Sequence, residues 1–102
     1  MGLLTNKTAI VTGGGRGIGR GHCLHLAKAG ASVLINDIDA NEAHKVANEI
    51  QDLGGMALTS SQDISSRKGA DALINECLHS FTSVDILVNN AGFLRDKSFL
   101  KM

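Results

Sequence analysis

The residues that first suggest chemistry are the spaced glycines of Thr12-Gly13-Gly14-Gly15-Arg16-Gly17-Ile18-Gly19. They follow the apolar run Ala9-Ile10-Val11 and precede a segment with helical spacing, so they predict a turn between a buried strand and a helix. In such a turn Gly13 permits a sharp bend, Gly17 lets the backbone approach a pyrophosphate, and Gly19 permits close helix–strand packing. Backbone N–H groups at the helix start then face the anion. The alternative is a glycine-rich helix entry with no ligand.

An acidic residue, Asp37, stands at the end of the next apolar run, eighteen positions after Gly19. A carboxylate there accepts hydrogen bonds from both hydroxyls of an adenosine ribose, whereas it repels the 2′-phosphate of NADP. This favours NAD as the cofactor over NADP. The competing signal is Arg16, which can reach toward a 2′-phosphate or lie in solvent beside an acid. Asp37 can also be interpreted as a helix-entry acid, although Asp39 already fills that role.

The elements that position these residues alternate between strand and helix. Strands are predicted at residues 9–11, 32–36, 56–59 and 84–88. Helices are predicted at 18–29, after the capping box that begins at Asp39, and after the cap candidates Ser65 and Ser66. Their apolar positions are Ile18, Leu24, Leu26 and Ala27, then Ala43, Val46, Ala47, Ile50 and Leu53, then Ala70, Leu73, Ile74, Cys77 and Phe81. Such alternation predicts an α/β fold: a Rossmann-type doubly wound parallel sheet, truncated after strand four, with strand order 3-2-1-4.

Length and composition limit the possible functions. The 102 residues suit one domain, residues 1–102, and the equal numbers of basic and acidic residues give no field that attracts nucleic acid or anionic lipid. The apolar run before Gly13 is too short for a signal or membrane segment. Cys23 and Cys77 lack the paired spacing of a metal or redox motif, so both are expected in the core, and no metal site is predicted. An intracellular location is expected, with cytoplasm, mitochondrion and peroxisome equally open.

Two segments carry a family resemblance. The glycine stretch resembles the cofactor motif of the short-chain dehydrogenase/reductases, and Asn89-Asn90-Ala91-Gly92 resembles their second signature. Asp63-Ile64 resembles the family's adenine-contacting pair at the end of strand three. The resemblance covers essentially the whole chain and implies these cofactor-binding residues: Gly13, Gly15, Arg16, Gly17, Ile18 and Gly19 at the pyrophosphate, Asp37 at the ribose, Asp63 and Ile64 at the adenine, and Asn90, Ala91 and Gly92 at the middle of the cofactor. Without the family, Asn89 and Asn90 are typical of polar residues that close a turn.

The last twelve residues, 91–102, look like a stretch found in 3-oxoacyl-carrier-protein reductases and in 3-hydroxyacyl-CoA dehydrogenases of multifunctional type. This resemblance implies an acyl thioester substrate for a full-length form. The alternative is the start of an amphipathic helix capped by Asp96. The family transfers hydride between nicotinamide and a carbonyl or alcohol carbon, with a tyrosine and a lysine handling the proton. This chain contains no tyrosine. No residue is therefore assigned a catalytic role.

Three functional hypotheses follow. The leading one is an incomplete oxidoreductase that binds cofactor without turnover, and the position of the chain end at the start of a helix favours it. The second is a self-standing module that holds NAD or pairs with a partner through the apolar sheet edge Asp85-Ile86-Leu87-Val88. The third is a methyltransferase-type glycine loop, which also follows a first strand and precedes an acid. The Asn-Asn-Ala-Gly signature argues against the third.

Overall fold

The computed structural model describes residues 3–15 and 17–90, which form a parallel sheet flanked by helices. The strands are β1 (Thr8–Thr12), β2 (Ser32–Asn36), β3 (Ala57–Ser60) and β4 (Ile86–Asn89). The helices are α1 (Gly17–Lys28), α2 (Ala40–Asp52) and α3 (Arg67–Phe81). The predicted alternation and strand order are confirmed, since the sheet runs β3-β2-β1-β4 and all neighbouring pairs are parallel. The third strand begins one residue later than predicted, and the fourth begins two residues later.

The first strand, β1, lies in the interior of this sheet. Ile10 is opposite Leu34 of β2 on one side and opposite Leu87 of β4 on the other. All five residues of β1 are buried. A strand that is covered on both faces reads as a continuous apolar run rather than an alternating one, which explains why its sequence carries no period of two.

Each face of the sheet has its own apolar core, because successive side chains of a strand point to opposite faces. Val11 and Ile35 belong to the core that α1 and α2 cover, and Ile10 and Leu34 belong to the core that α3 covers. The first core comprises Val11, Cys23, Val33, Ile35, Ala43, Val46, Ala47, Ile50 and Ala57. The second comprises Ile10, Leu34, Ile64, Ala70, Leu73, Ile74 and Cys77.

Side-chain caps fix where two helices begin. Asp39 Oδ1 accepts hydrogen bonds from the backbone N–H groups of Asn41 (3.1 Å) and Glu42 (3.3 Å), which confirms Asp39 as the cap of α2. Ser66 Oγ accepts from Gly69 N at 3.0 Å and caps α3. No helix within residues 3–15 and 17–90 has the length and apolar character needed to cross a membrane.

Two apolar residues do not lie on the buried faces where the sequence pattern places them. Ile18 is 74% exposed, because α1 turns Gly19 and Cys23 toward the sheet instead. Leu53 is 58% exposed, because α2 ends at Asp52 and the buried stripe ends at Ile50. Helical spacing of apolar residues therefore does not by itself show that another element covers their side chains.

Both cysteines are free thiols that pack in the core, as predicted. Burial raises the pKa of Cys23 to about 12. Burial, together with the charge of Asp85, raises the pKa of Cys77 to about 11. Since the thiolate is the reactive form, both residues are unsuited to nucleophilic or redox chemistry in the folded chain.

Helix α3 ends on a strained residue, which gives a stability prediction. Thr82 is the cap, with φ 71° and ψ −8°, and its N–H donates to Leu78 O at 3.0 Å. A β-branched residue in this left-handed conformation costs on the order of 1–2 kcal/mol, a strain that glycine avoids. Part of this gain in stability is lost because glycine has more conformational freedom in the unfolded chain. We expect Thr82→Gly to raise the free energy of unfolding by about 0.5–1 kcal/mol. Urea unfolding followed by circular dichroism measures this, with Ser80→Gly inside α3 as a destabilising control. An unchanged or lower midpoint for Thr82→Gly would contradict the expectation.

Candidate cofactor site

The candidate residues gather at the carboxyl ends of the parallel strands. The glycine turn follows β1, Asp37 follows β2, Asp63 and Ile64 follow β3, and Asn90 follows β4. In open α/β sheets this edge is where ligands bind, next to the point where the strand order reverses. That point lies at β1, since α1 leads to β2 on one side and the chain later returns to β4 on the other. Arg16, Ala91 and Gly92, which are also predicted to bind the cofactor, lie outside the described residues.

The glycine turn is a tight structure in which side chains have no room at one position. Gly13 has φ 63°. A Cβ atom on Gly19 would lie 2.0 Å from the carbonyl oxygen of Gly13. The first turn of α1 therefore packs directly on the preceding loop, a closer contact than the helix–strand packing that the sequence suggests for Gly19.

The start of α1 is open where the turn ends. Gly17 has φ 57°, and a Cβ atom placed on it would meet nothing within 4 Å of the described structure. Gly17 and Ile18 are both exposed, and no acidic residue stands in the first turn of α1. A helix start with a positive dipole end, no competing carboxylate and free space suits an anionic group such as a pyrophosphate.

The carboxylate of Asp37 lies against this turn. It is 7% exposed, Oδ2 accepts from Gly15 N at 2.9 Å, and Oδ1 accepts from Asp39 N at 3.0 Å. One backbone donor on each oxygen fixes the plane of the group. Each carboxylate oxygen has acceptor capacity for a further hydrogen bond. The group is thus pre-oriented and still able to accept from a ligand.

Asn36, which the sequence analysis did not single out, connects two parts of the site. It is 2% exposed, and its Nδ2 donates to Ser60 O at 3.3 Å and to Gln62 O at 3.1 Å. These bonds tie the end of β2, just before Asp37, to the loop that leads to Asp63. The available signal in the sequence was an amide side chain directly after three apolar residues of β2. A buried amide needs hydrogen-bond partners.

The pair Asp63 and Ile64 lies in the loop between β3 and α3, beyond the strand end at Ser60. Asp63 is exposed, and Oδ1 accepts from both Ser65 Oγ (2.6 Å) and Ser65 N (3.0 Å), which lowers the pKa of its carboxyl group. Ile64 is 4% exposed and belongs to the core under α3. The side chain of Ile64 is therefore used for packing, and only its backbone remains for a ligand.

Gly69 holds this loop close to α3, and the sequence analysis also missed it. A Cβ atom on Gly69 would lie 1.8 Å from the carbonyl oxygen of Asp63. Any side chain at this position must push the loop and the helix apart. No motif marks Gly69 in the sequence, because the close approach exists only once α3 and the loop are assembled.

Asn90 supports the glycine turn from the other side. Its Nδ2 donates to Gly13 O at 3.3 Å, and the same nitrogen lies 2.8 Å from where a Cβ of Gly19 would stand. The neighbouring Asn89 accepts from Thr12 Oγ1 at 3.2 Å. The two asparagines therefore link the ends of β4 and β1, so the signature segment braces the turn as well as lying at the same edge.

Taken together, the described edge offers an open helix start, a pre-oriented carboxylate and backbone groups of tight loops. These groups can hold a sugar diphosphate by hydrogen bonds and a helix dipole. Within residues 3–15 and 17–90, no cluster of three or more histidine, cysteine or acidic side chains is arranged to hold a metal ion. The described groups at this edge can bind and orient a ligand, and no nucleophile is identified among them.

The comparison with known proteins agrees with this geometry. The family model described as short chain dehydrogenase matches residues 7–102. The peroxisomal hydratase-dehydrogenase-epimerase of Neurospora crassa is 47% identical over 96 residues, which are 94% of this chain and 10% of that protein. The structure of 7 alpha-hydroxysteroid dehydrogenase complexed with NADH and 7-oxo glycochenodeoxycholic acid matches with a TM-score of 0.82 and 45% identity, over 84% of this chain and 34% of the other. A metagenomic short-chain oxidoreductase in complex with NADP matches with a TM-score of 0.83 and 35% identity, over 87% of this chain and 40% of the other.

Proposed function

This chain belongs to the short chain dehydrogenase family, and from that premise we propose that the edge at the strand ends binds NAD(H) as the cofactor of an oxidoreductase. The observation that carries the proposal is the placement of the Asp37 carboxylate against the glycine turn, with Gly15 N at 2.9 Å. It puts a ribose acceptor beside an open helix start in one continuous surface. The chain spans a tenth of the curated relative and about a third of the steroid dehydrogenase chain.

The ribose end of the site favours NAD over NADP. Each oxygen of Asp37 already accepts one backbone N–H group, so the carboxylate is held in place while it accepts from the 2′ and 3′ hydroxyls. A 2′-phosphate at this position would meet a like charge in a largely buried setting, where screening is weak. Solved structures in complex with NADH and in complex with NADP are both similar to this chain, so the proposed choice depends on its own residues. Arg16 is the residue that would act in favour of NADP.

The pyrophosphate is proposed to lie at the start of α1, over Gly17 and Ile18. Space for it is free around Gly17, and the N-terminal dipole of α1 faces no acidic side chain in the first turn. Gly13, Gly15 and Gly19 shape the turn, and Arg16 is proposed to lie beside the phosphates. The remaining assignments are Asp63 and Ile64 at the adenine, and Asn90, Ala91 and Gly92 at the middle of the cofactor.

Hydride transfer is the chemistry that the nicotinamide supplies when bound. The residues of this chain bind and orient the cofactor, and none is assigned to proton transfer because the sequence contains no tyrosine. The proposed substrate class of the full-length form is a 3-oxoacyl or 3-hydroxyacyl thioester. It is supported by the resemblance of residues 91–102 to enzymes of that class and by the similarity to a hydratase-dehydrogenase-epimerase. The similarity to a hydroxysteroid dehydrogenase supports a steroid as the competing substrate.

A second function, a module that holds NAD without catalysis or pairs with a partner, shares the same cofactor site. The half-buried strand β4, whose one neighbour in the described sheet is β1, favours it. An intracellular location is proposed for either function. The free buried thiols Cys23 and Cys77 and the peroxisomal name of the curated relative support that location.

The experiment that tests the cofactor proposal replaces the ribose acceptor. NADH is expected to bind more tightly than NADPH, and Asp37→Ala should narrow this difference by about 1–3 kcal/mol, the range for losing a hydrogen bond to a charged group. Titration of both reduced cofactors, followed by nicotinamide fluorescence, measures the two dissociation constants. Asp39→Ala is the matched control. It removes the same charge two residues away, together with the side-chain acceptor that caps α2.

Equal or reversed affinities in the unmodified chain would contradict the preference for NAD. Arg16 would then be the proposed residue that selects the cofactor. If the unmodified chain binds neither nucleotide, the proposed function is wrong.

A further inference from the structure

We propose that Gly15 determines the preference for NAD over NADP, by holding the Asp37 carboxylate in place and by leaving the space that this carboxylate occupies. The inference rests on the proposed NAD(H) site and adds a specificity-determining residue to it. In this role Gly15 acts on the ribose end through Asp37, in addition to shaping the turn near the pyrophosphate. It is a positioning residue, since its effect reaches the cofactor through another side chain.

The first observation is the hydrogen bond between the two residues. Gly15 N donates to Asp37 Oδ2 at 2.9 Å, the contact is buried, and it joins residues 22 positions apart. Asp39 N holds the other oxygen at 3.0 Å. Two donors on opposite oxygens define both the position and the plane of the group. A carboxylate that is displaced from Gly15 N keeps only the hydrogen bond from Asp39 N and is free to turn about it.

The second observation is the space that the missing side chain leaves. A Cβ atom on Gly15 would lie 2.7 Å from Asp37 Oδ2, 2.9 Å from Glu42 Cβ and 3.0 Å from Ala43 N. The last two atoms belong to the first turn of α2, which is held by its cap Asp39. The carboxylate is the end of a side chain and can rotate, whereas Glu42 Cβ and Ala43 N are fixed to α2. A methyl group at position 15 therefore displaces the carboxylate and also presses on the first turn of α2.

The third observation separates this crowding from backbone strain. Gly15 is absent from the glycines with positive φ in the described chain, so alanine is compatible with its backbone conformation. A methyl group there consequently acts through its contacts with Asp37 and α2, and not through left-handed backbone strain. The displaced carboxylate loses its alignment with the ribose hydroxyls and relieves the repulsion of a 2′-phosphate at the same time.

Two other glycines of the same region provide controls, because Asp37 is not among the atoms nearest to a Cβ at either position. A Cβ on Gly14 would lie 2.9 Å from both Cys23 Sγ and Ile35 Cγ2, so it crowds the core beneath the same turn. A Cβ on Gly21, in the middle of α1, would meet nothing within 4 Å. Gly14→Ala thus reports general damage to the turn, and Gly21→Ala reports the effect of the substitution in an open place.

The experiment measures the dissociation constants of NADH and NADPH for the 102-residue chain and its variants. Gly15→Ala should lower the NADH-over-NADPH preference by about tenfold, the size expected when a hydrogen bond to a charged group loses its geometry. Gly21→Ala should leave both constants unchanged. Gly14→Ala should weaken both cofactors by the same factor. In the Asp37→Ala background, Gly15→Ala should change the preference no further, since the two residues act as one unit.

A second variant covers the case in which Gly15→Ala does not fold. Asp37→Glu keeps the charge but moves the carboxylate by one methylene away from its position beside Gly15 N, so it should lower the same preference. A preference that stays within twofold in Gly15→Ala or in Asp37→Glu, with the unmodified chain still favouring NADH, overturns this inference and leaves the proposed function standing. Binding of neither nucleotide by the unmodified chain overturns the proposed function itself.

Discussion

No dehydrogenase or reductase turnover is expected from the 102-residue chain with any 3-oxoacyl or 3-hydroxyacyl thioester, even at saturating cofactor. Reduction of a carbonyl develops negative charge on oxygen, and a positioned proton donor typically contributes about 10²–10⁴-fold to the rate. The chain has no tyrosine, and its four histidines lie on the helices. Positioning of a substrate is worth roughly 7–11 kcal/mol in well-oriented cases, and no residue at the described edge is assigned to substrate binding.

Absorbance at the nicotinamide band, recorded with thioester and cofactor present, measures this expectation. A control reaction with Gly17→Val removes the proposed pyrophosphate site while it keeps the remaining side chains. A steady change that requires both the thioester and the chain, and that Gly17→Val abolishes, would contradict the expectation. It would mean that a histidine or lysine serves as the acid, or that a partner chain supplies the tyrosine. The same result would exclude the non-catalytic module as the function.

The second large effect is expected from Gly17→Val, which should abolish NADH binding and leave most of the helix content intact. Gly17 has φ 57°, so a branched side chain there costs on the order of 1–2 kcal/mol of backbone strain. The free space around its Cβ means that the fold itself is not crowded. The isopropyl group would instead fill the volume at the start of α1 that the pyrophosphate needs.

Fluorescence titration with NADH measures the loss of binding, and circular dichroism of the same samples measures whether the helix content is retained. Gly21→Val is the matched control, because it places the same side chain on α1 in an equally open position one turn further along. The control should lose some helix stability and keep its affinity for NADH. Affinity retained in Gly17→Val would show that the glycines are only a helix entry, and the cofactor would then have to bind elsewhere.

Much of the architecture was predictable because it depends on local patterns. The strand order follows from alternation of short apolar runs and helical stripes, and the cap at Asp39 follows from the sequence of its capping box. The stripe from Ala43 to Ile50 was placed correctly because its four apolar residues recur at helical spacing and so share one helix face. The position of Asp37 beside the glycine turn followed from its place at the end of β2.

The errors and omissions share a physical cause, which is that the environment of a residue depends on the elements packed around it. Ile18 is apolar and at helical spacing, but it lies at the very start of α1 and is exposed among the described residues. The contact of Ile64 with the adenine stays a prediction, and nothing in the sequence indicated that α3 packs over its side chain. Asn36 and Gly69 have roles that exist only between two separate loops, and no spacing within the sequence encodes that proximity.

The interior position of β1 has a consequence for the order in which the chain can fold. The first strand to be synthesised pairs with β4 across 77 residues, as the contact between Thr12 and Asn89 shows. At about 5–20 residues per second, roughly 4–15 s separate the synthesis of these two partners. Pairing at such a distance also carries a large loop-closure entropy before any contact compensates for it. The glycine turn, which Asn90 braces, is therefore among the first segments made and among the last to acquire its final shape.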